Sequence, residues 1–332
     1  MKIFPTQYSM LSTEALKDHL QTAYGLTNMT CKLLVHNVSD TYLLQNDTEK
    51  YIFKLYRDSH RKLEEIQAEV ELLHILKKKE TKVSYVIPDL NGNQIQSYNA
   101  AEGIRNGVLF SFAAGKPTHD YHPSRLEAIG TEMARIHEVT AHVELSFPRK
   151  VYDIETTLLH PLRYIQPEFA DLPDDYEWLK ATTEKVANKI AQFDLSKFSY
   201  GYCHYDFLPH NFHFNEQDNL TFFDFDFVGK GFIANDLMTF FIHFFFEVYT
   251  KKQTQEEANA NYQIFVDAYR KVRPVSEEEI AAIPYLGFGF WMFFLEFYQL
   301  HFEDWSNTFY TLRFKKERMG WMRNWVEWYC RF

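Results

Sequence analysis

Cysteine is scarce in this 332-residue chain, with Cys31, Cys203 and Cys330 far apart and odd in number. They form neither a disulfide framework nor the paired spacing of a zinc site, so a reducing cytoplasm is the expected compartment. Positive charge is also in deficit: 35 Lys and Arg against 45 Asp and Glu give a formal net charge of −10. That argues against a nucleic-acid partner, since nucleic-acid binders usually carry a basic stripe, and it leaves room for a cationic ligand. Long uninterrupted apolar runs are missing. The strongest, Leu237 to Tyr249 and Phe288 to Leu300, are broken by His243 and Glu247 and by Glu296, short of the roughly 18 to 20 residues of a membrane span. Both read as buried helices, and no membrane partner is expected. Met1 to Met10 has no sustained apolar core, so no signal peptide is expected either.

What the chain does have is concentrated between Gly201 and Asp236, GYCHYDFLPHNFHFNEQDNLTFFDFDFVGKGFIAND. His204 and Asp206 are followed by Asn211, then, past a short apolar run, by Asp224-Phe225-Asp226. Phosphoryl transfer needs a carboxylate to orient an attacking hydroxyl and take its proton, and it needs an Asp and an Asn to hold the Mg²⁺ of a triphosphate. Asp206 fits the first role and Asn211 with Asp224 the second. Asn-Phe-His-Phe and Leu-Thr-Phe-Phe alternate around the polar turn Asn215 to Asn219, which predicts a short hairpin between the two metal ligands. Pro209 forbids a regular helix through the segment, so His204, His210 and His213 do not make the helical face of a zinc site.

In these motifs the chain resembles the aminoglycoside phosphotransferase and choline kinase superfamily, whose catalytic loop runs His-x-Asp-x-x-x-x-Asn and whose metal motif is Asp-Phe-Asp or a near variant. Tyr205 and Asp226 stand where protein kinases proper carry Arg and Gly, which favours the small-molecule branch. The resemblance implies an α+β, bilobal, protein-kinase-like fold, with a small antiparallel-sheet N-lobe over 1–112 ending in a hinge and a larger, mainly helical C-lobe over 113–332. It implies Asp206 as catalytic base with His204 orienting its loop, Asn211 and Asp224 on Mg²⁺, and Asp236 as a buried brace beneath the loop. Asp236 also precedes an apolar helix and would serve as its N-cap. For Asp226 three roles stay open: a water-mediated metal contact, a substrate-amine contact, or a turn residue before Gly229.

Upstream, Ser12 to Ala23 has the spacing of an amphipathic helix closed by Gly25, and Cys31 to His36, Thr41 to Gln45 and Lys50 to Tyr56 read as strands. Glycine is missing from the turn His36 to Thr41, so a Gly-rich phosphate loop is excluded; the resemblance implies backbone amides around a small polar residue instead, with Ser39 that position. Lys54 lies on the third strand and Glu69 on the helix Lys62 to Lys79. The resemblance makes them the phosphate-binding lysine and its acidic partner, with Glu65 the fallback. Val108 to Gly115 reads as a strand and linker, and the resemblance makes it the hinge, with backbone groups of Ser111 to Ala113 offered to the purine of ATP or GTP.

The second half is helical: Pro123 to Val139 with His137 on its buried face, Asp174 to Phe193, Leu237 to Tyr249, Glu256 to Val272, Ser276 to Ile283, Tyr285 to His301 and Thr311 to Trp328. Aromatic residues make up 17% of the chain and suit either a large core or an aromatic substrate wall. Tyr285 to Trp305 is the expected wall, where Trp291, Glu296 and Asp304 mix ring faces with carboxylates as an ammonium site does. The expected activity is an ATP-dependent kinase acting on a hydroxyl of a small molecule, an amino alcohol, aminoglycoside or hydroxy amino acid. The alternatives are a bacterial-type protein Ser/Thr kinase of the same fold and a pseudokinase binding module.

Overall fold

The computed structural model describes residues 4–118, 121–302 and 310–332. It divides into two compact units, one of Met1–Gly115 with Leu145–Pro148 and Thr221–Asp224, the other of Lys116–Glu144, Arg149–Leu220 and Phe225–Phe332.

The first unit opens with α1 (Thr13–Tyr24), where Ser12 accepts from the Ala15 N–H and Gly25 ends the helix in the left-handed region at φ 68°. Strands β1 (Thr30–His36), β2 (Ser39–Gln45) and β3 (Lys50–Tyr56) follow, then α2 (Leu63–Lys78), β4 (Gln96–Ala100) and β5 (Gly103–Ser111). The sheet is antiparallel throughout with order β1-β2-β3-β5-β4. Leu16, Leu20 and Tyr24 recur on one face of α1 and cover Tyr42, Leu44, Phe53, Leu55 and Leu109 of the sheet. Register puts Lys54 opposite Thr41 on one side and Val108 on the other, so its position in the middle strand is fixed by two ladders. β4 was not legible, because Gln-Ser-Tyr-Asn-Ala carries one large apolar side chain, Tyr98, on the half-buried face of an edge strand.

The second unit carries α3 (Pro123–Thr140), β6 (Val151–Tyr152), α4 (His160–Ile165), α5 (Pro173–Ile190), β7 (Tyr200–Cys203) and β8 (Phe212–Phe214). After β9 (Leu220–Phe222) come β10 (Gly229–Phe232), α6 (Ala234–Tyr249), α7 (Gln255–Arg270), α8 (Glu277–Phe302) and α9 (Leu312–Tyr329). β8 and β9 pair as the expected hairpin, and its turn is held by Asn215, whose side chain accepts from Gln217 and Asn219. β6, β10 and β7 make a small mixed sheet.

Two expectations need correction. The two helices expected over Ser276 to Ile283 and Tyr285 to His301 are one, α8, which runs through Pro284; the Trp325 indole N–H donates to the Pro284 carbonyl at 2.8 Å. As a result Glu277–His301 is long and apolar enough to cross a membrane by length and composition, yet 72% of its apolar window is buried inside the protein. It is a core helix, ringed by aromatics of α6 and α9 such as Phe245, Phe246, Trp321 and Trp325 around Trp291. Nor is Asp236 the N-cap of α6. It lies within the first turn, and its carboxylate is engaged elsewhere.

Candidate active site

In the second unit, β7 delivers the chain into the loop 204–211. Tyr205 takes a left-handed backbone, φ 64°, which a non-glycine residue adopts only when its surroundings hold it there. Two things do. Its ring stacks on Tyr152 at 3.5 Å, nearly parallel, and the N–H groups of His204 and Tyr205 donate to the two oxygens of Asp236 at 2.8 and 2.7 Å. The same carboxylate meets His137 Nε2 at 2.9 Å, while His137 Nδ1 lies 2.9 Å from the Tyr269 hydroxyl. With Asp236 ionised, Nε2 donates and Nδ1 accepts, so the whole chain of polar groups is satisfied in the interior. Asp236 and His137, both 0% exposed, thus set the backbone of the loop.

The Asp206 N–H donates to His204 Nδ1 at 3.2 Å, and the His204 ring lies between Phe207 at 4.3 Å and Phe225 at 4.5 Å. Pro209–Asn211 form a 3-10 turn that swings Asn211 back. Its amide nitrogen donates to both the Asp206 carbonyl (2.9 Å) and Asp206 Oδ2 (2.7 Å). Only Nδ2 is used in these bonds, leaving Oδ1 as the atom of Asn211 suited to a cation. His210, read as incidental in the sequence, brings Nε2 to 3.5 Å from Asp206 Oδ2. The spacing of four residues was the available signal, but a turn of this geometry is not a helix, and the approach follows from the 3-10 turn at Pro209.

Asp226 is 3% exposed, with its carbonyl bonded by Arg149, whose Nε also donates to the Val228 carbonyl at 2.6 Å. Glu296 is buried on α8 and pairs with His160 Nδ1 at 2.6 Å. Trp291 is core, and its buried indole N–H has no partner among the described residues. Asp304 lies outside the described residues.

In the first unit, Lys54 Nζ donates to Asp224 Oδ1 at 2.6 Å. Asp224 is joined to this unit through Phe222, whose N–H donates to the Lys82 carbonyl (2.8 Å) and whose carbonyl accepts from Ser84 (2.7 Å). Asp224 also has positive φ, 62°, and its side chain is 45% exposed with Oδ2 unbonded among the described residues. Glu69, 1% exposed, accepts from the Tyr56 hydroxyl at 3.2 Å, and the Lys54 ammonium stands 5.2 Å from the Tyr56 ring. Glu65 instead caps α2, accepting from the Lys62 N–H at 3.0 Å.

The turn expected over the phosphates is a tight one, Asn37 and Val38 between β1 and β2, with the Asn37 N–H donating to the Ser39 carbonyl at 3.0 Å. Directly behind Ser39, Asp40 is wholly buried and bonded by Arg105 (3.0 Å), by His36 Nδ1 (2.8 Å) and by the Tyr8 hydroxyl. Arg105 also donates to the carbonyls of Ser9, Tyr56 and Leu55. This anchor was missed, since a buried Asp–Arg pair separated by 65 positions has no local signature. Ser111 has its N–H on the Tyr85 carbonyl and its own carbonyl taken by the Ser84 hydroxyl, and Ala113 beyond it is buried.

The donor set fits Mg²⁺. This ion takes one or two protein oxygens and keeps its other positions for water and phosphate, and no cluster of three or more acidic, His or Cys ligands exists among the described residues. Asp224 Oδ2 in the first unit and Asn211 Oδ1 in the second are each a hard oxygen donor of that kind, each within its own unit.

Residues 30–275 match the phosphotransferase enzyme family. An uncharacterized protein of Deinococcus radiodurans is 28% identical over 282 residues, covering 85% of this chain and 80% of that protein. A homoserine kinase of Methylobacillus glycogenes is 25% identical over 273 residues, covering 79% and 77%. Among solved structures, a microcompartment-associated aminopropanol kinase superposes with a TM-score of 0.75 at 19% identity, covering 94% of this chain and 95% of that one. The fold is therefore kinase-like, as the motifs implied.

Proposed function

This chain belongs to the phosphotransferase enzyme family, and from that premise we propose that it is a kinase transferring the γ-phosphate of ATP to a hydroxyl of a small molecule. The observation that carries the reading is the anchored loop: Asp206 is aimed by the Asn211 amide, and its backbone is pinned through Asp236. Asp206 orients the acceptor hydroxyl and takes its proton as the oxygen attacks the γ-phosphorus and the bond to the β-phosphate oxygen breaks. Lys54 holds phosphate, with Glu69 and Tyr56 supporting its strand and stem, and the Ser39 turn covers it. Mg²⁺, when bound by Asn211 and Asp224, would neutralise phosphate charge. The acceptors named for similar proteins, homoserine and aminopropanol, each carry a hydroxyl and an amine, in keeping with a small amine-bearing alcohol. Three unpaired cysteines accord with a cytoplasmic enzyme.

The test is Asp206→Asn. The amide keeps the shape but cannot take a proton, so kcat should fall by about 10²-fold or more while Mg-nucleotide affinity stays nearly unchanged. Asp224→Ala should instead weaken Mg-nucleotide binding and abolish turnover. A folded Asp206→Asn enzyme with near-normal kcat would remove the assignment.

A further inference from the structure

We infer that the segment before α1 is part of the nucleotide site, with Tyr8 a positioning residue that sets the 37–39 turn through Asp40; the inference rests on the phosphotransfer reading above. Strand alternation separates the two faces of the sheet here. Ser39 pairs with Tyr56 and Thr41 with Lys54, so Ser39 and Lys54 lie on one face, that of the proposed phosphate contacts. Asp40 pairs with Leu55 and lies on the other face, the one where Tyr42, Phe53 and Leu55 pack under α1. A carboxylate there acts on the nucleotide only through the backbone of Ser39.

A wholly buried charge is held only where its oxygens find donors. Arg105 donates to Asp40 Oδ2 at 3.0 Å, while His36 Nδ1, at 2.8 Å, and the Tyr8 hydroxyl share Oδ1. His36 and Asp40 flank the turn, so Oδ1 ties its two ends together. Arg105 also donates to the Leu55 and Tyr56 carbonyls, each at 3.2 Å, in the two residues that follow Lys54. One buried cluster therefore couples the turn to the lysine strand. Of the three donors to Asp40, only Tyr8 lies outside the sheet. Its ring stands 3.4 Å from the Arg57 guanidinium and 4.9 Å from that of Arg105. Next to it, the Ser9 carbonyl accepts from Arg105 at 2.9 Å, Leu11 packs on the sheet core, and Ser12 caps α1. Burial first and the Asp40 bond second push the Tyr8 phenol up to about 12, so the hydroxyl stays a donor at neutral pH. Without it, Oδ1 is left to His36, whose side chain is 34% exposed. The turn then gains freedom that nucleotide binding must remove.

The experiment is calorimetric titration of the full chain with AMP-PNP and Mg²⁺, with no acceptor present. Tyr8→Phe deletes the bond to Asp40 and keeps the ring on Arg57; it should weaken nucleotide binding about 5-fold or more. Tyr8→Ala deletes both contacts and should weaken it further. Tyr42→Phe is the control. It removes a hydroxyl, bonded to the Leu11 carbonyl at 3.4 Å, from the same face of the sheet without touching the Asp40 bonds, and nucleotide affinity should stay within about twofold. In turnover, Tyr8→Phe should raise the nucleotide KM and leave the acceptor KM, and kcat at saturating nucleotide, within about twofold. Hydrogen exchange should quicken at the amides of Val38 to Asp40 and stay unchanged in α2. Weaker nucleotide binding by Tyr8→Phe in a protein that phosphorylates no acceptor would sink the kinase reading and leave the role of Tyr8 standing. Equal affinity in the wild type and Tyr8→Phe, or a loss that Tyr42→Phe shares, would remove Tyr8 from the nucleotide site.

Discussion

Tyr205 and Asp224 both hold left-handed backbone without a glycine's freedom, and each lies beside a proposed functional group. For Tyr205 the competing magnitudes can be compared. The left-handed conformation costs an L-residue roughly 1–2 kcal/mol, so Tyr205→Gly would relieve that strain. It would also delete a ring that is 1% exposed and stacked at 3.5 Å on Tyr152, and loss of a buried aromatic costs about 3–5 kcal/mol. Added freedom of glycine in the unfolded chain costs up to about 1 kcal/mol more. Packing wins, and Tyr205→Gly should destabilise by about 3 kcal/mol in denaturant titration, with Tyr205→Phe close to neutral. A stabilised glycine variant would show that the strain, not the stacking, dominates this loop. The sequence offered Tyr205 only as a position where protein kinases carry another residue; neither its φ nor its ring partner 53 positions away is visible in a local pattern.

At the scale of elements, α8 shows where sequence reading stopped short. Pro284 read as a break, because proline inside a helix loses a hydrogen bond and crowds the preceding turn. The carbonyl that loses its partner is that of Ile280, and α8 nevertheless continues past it; α9 crosses here, with Trp325 Nε1 and Cys330 Sγ both directed at the Pro284 carbonyl. The same crossing explains Gly287. A Cβ there would sit 2.2 Å from Trp325 Cζ2, a buried indole with no room to retreat. Alanine is favoured over glycine in a helix by about 1 kcal/mol, but overpacking a filled core costs about 1–3 kcal/mol. Gly287→Ala should therefore lower Tm, and Gly287→Ala with Trp325→Phe should recover part of the loss. A higher Tm for the single variant would mean that α8 and α9 can separate cheaply. Elements held by local pattern were legible: α1, the first three strands, α2 and α3 fall within one or two residues of their expected bounds, β2 by the most, beginning two residues early at Ser39. Those fixed by a distant partner were not. β4 shows a single ring, Tyr98, on its half-buried face, α8 runs through Pro284 and packs on α9, and Asp224 follows Phe222, which is bonded to the 82–84 segment.

Over the whole molecule, the feature that composition announced most loudly, aromatic content, has become mostly core, and it sets the alkaline limit of stability. Burial is the largest cause raising the phenol pKa of Tyr8 and Tyr24 in the first unit and of Tyr329 in the second, each to about 12, and Tyr42, Tyr98 and Tyr121 rise further. Tyr8 is raised additionally by its bond to the Asp40 carboxylate. An unfolded tyrosine titrates near pH 10, so from about pH 10 upward the unfolded chain releases protons that the folded chain keeps. Stability from these groups is complete below that pH and is lost as pH rises through their folded values. The chain, at −10 already near neutrality, gains further negative charge over the same interval as its lysines discharge, which adds self-repulsion. Phenolate absorbance at 295 nm, followed together with far-UV circular dichroism, should show two stages. Exposed tyrosines should ionise first with helix content unchanged, and the remainder of the 21 should ionise in a steep step that coincides with loss of the helical signal. Smooth ionisation of all of them below pH 11 with the helices intact would mean that these rings are hydrated in solution, and the aromatic core described for both units would be wrong.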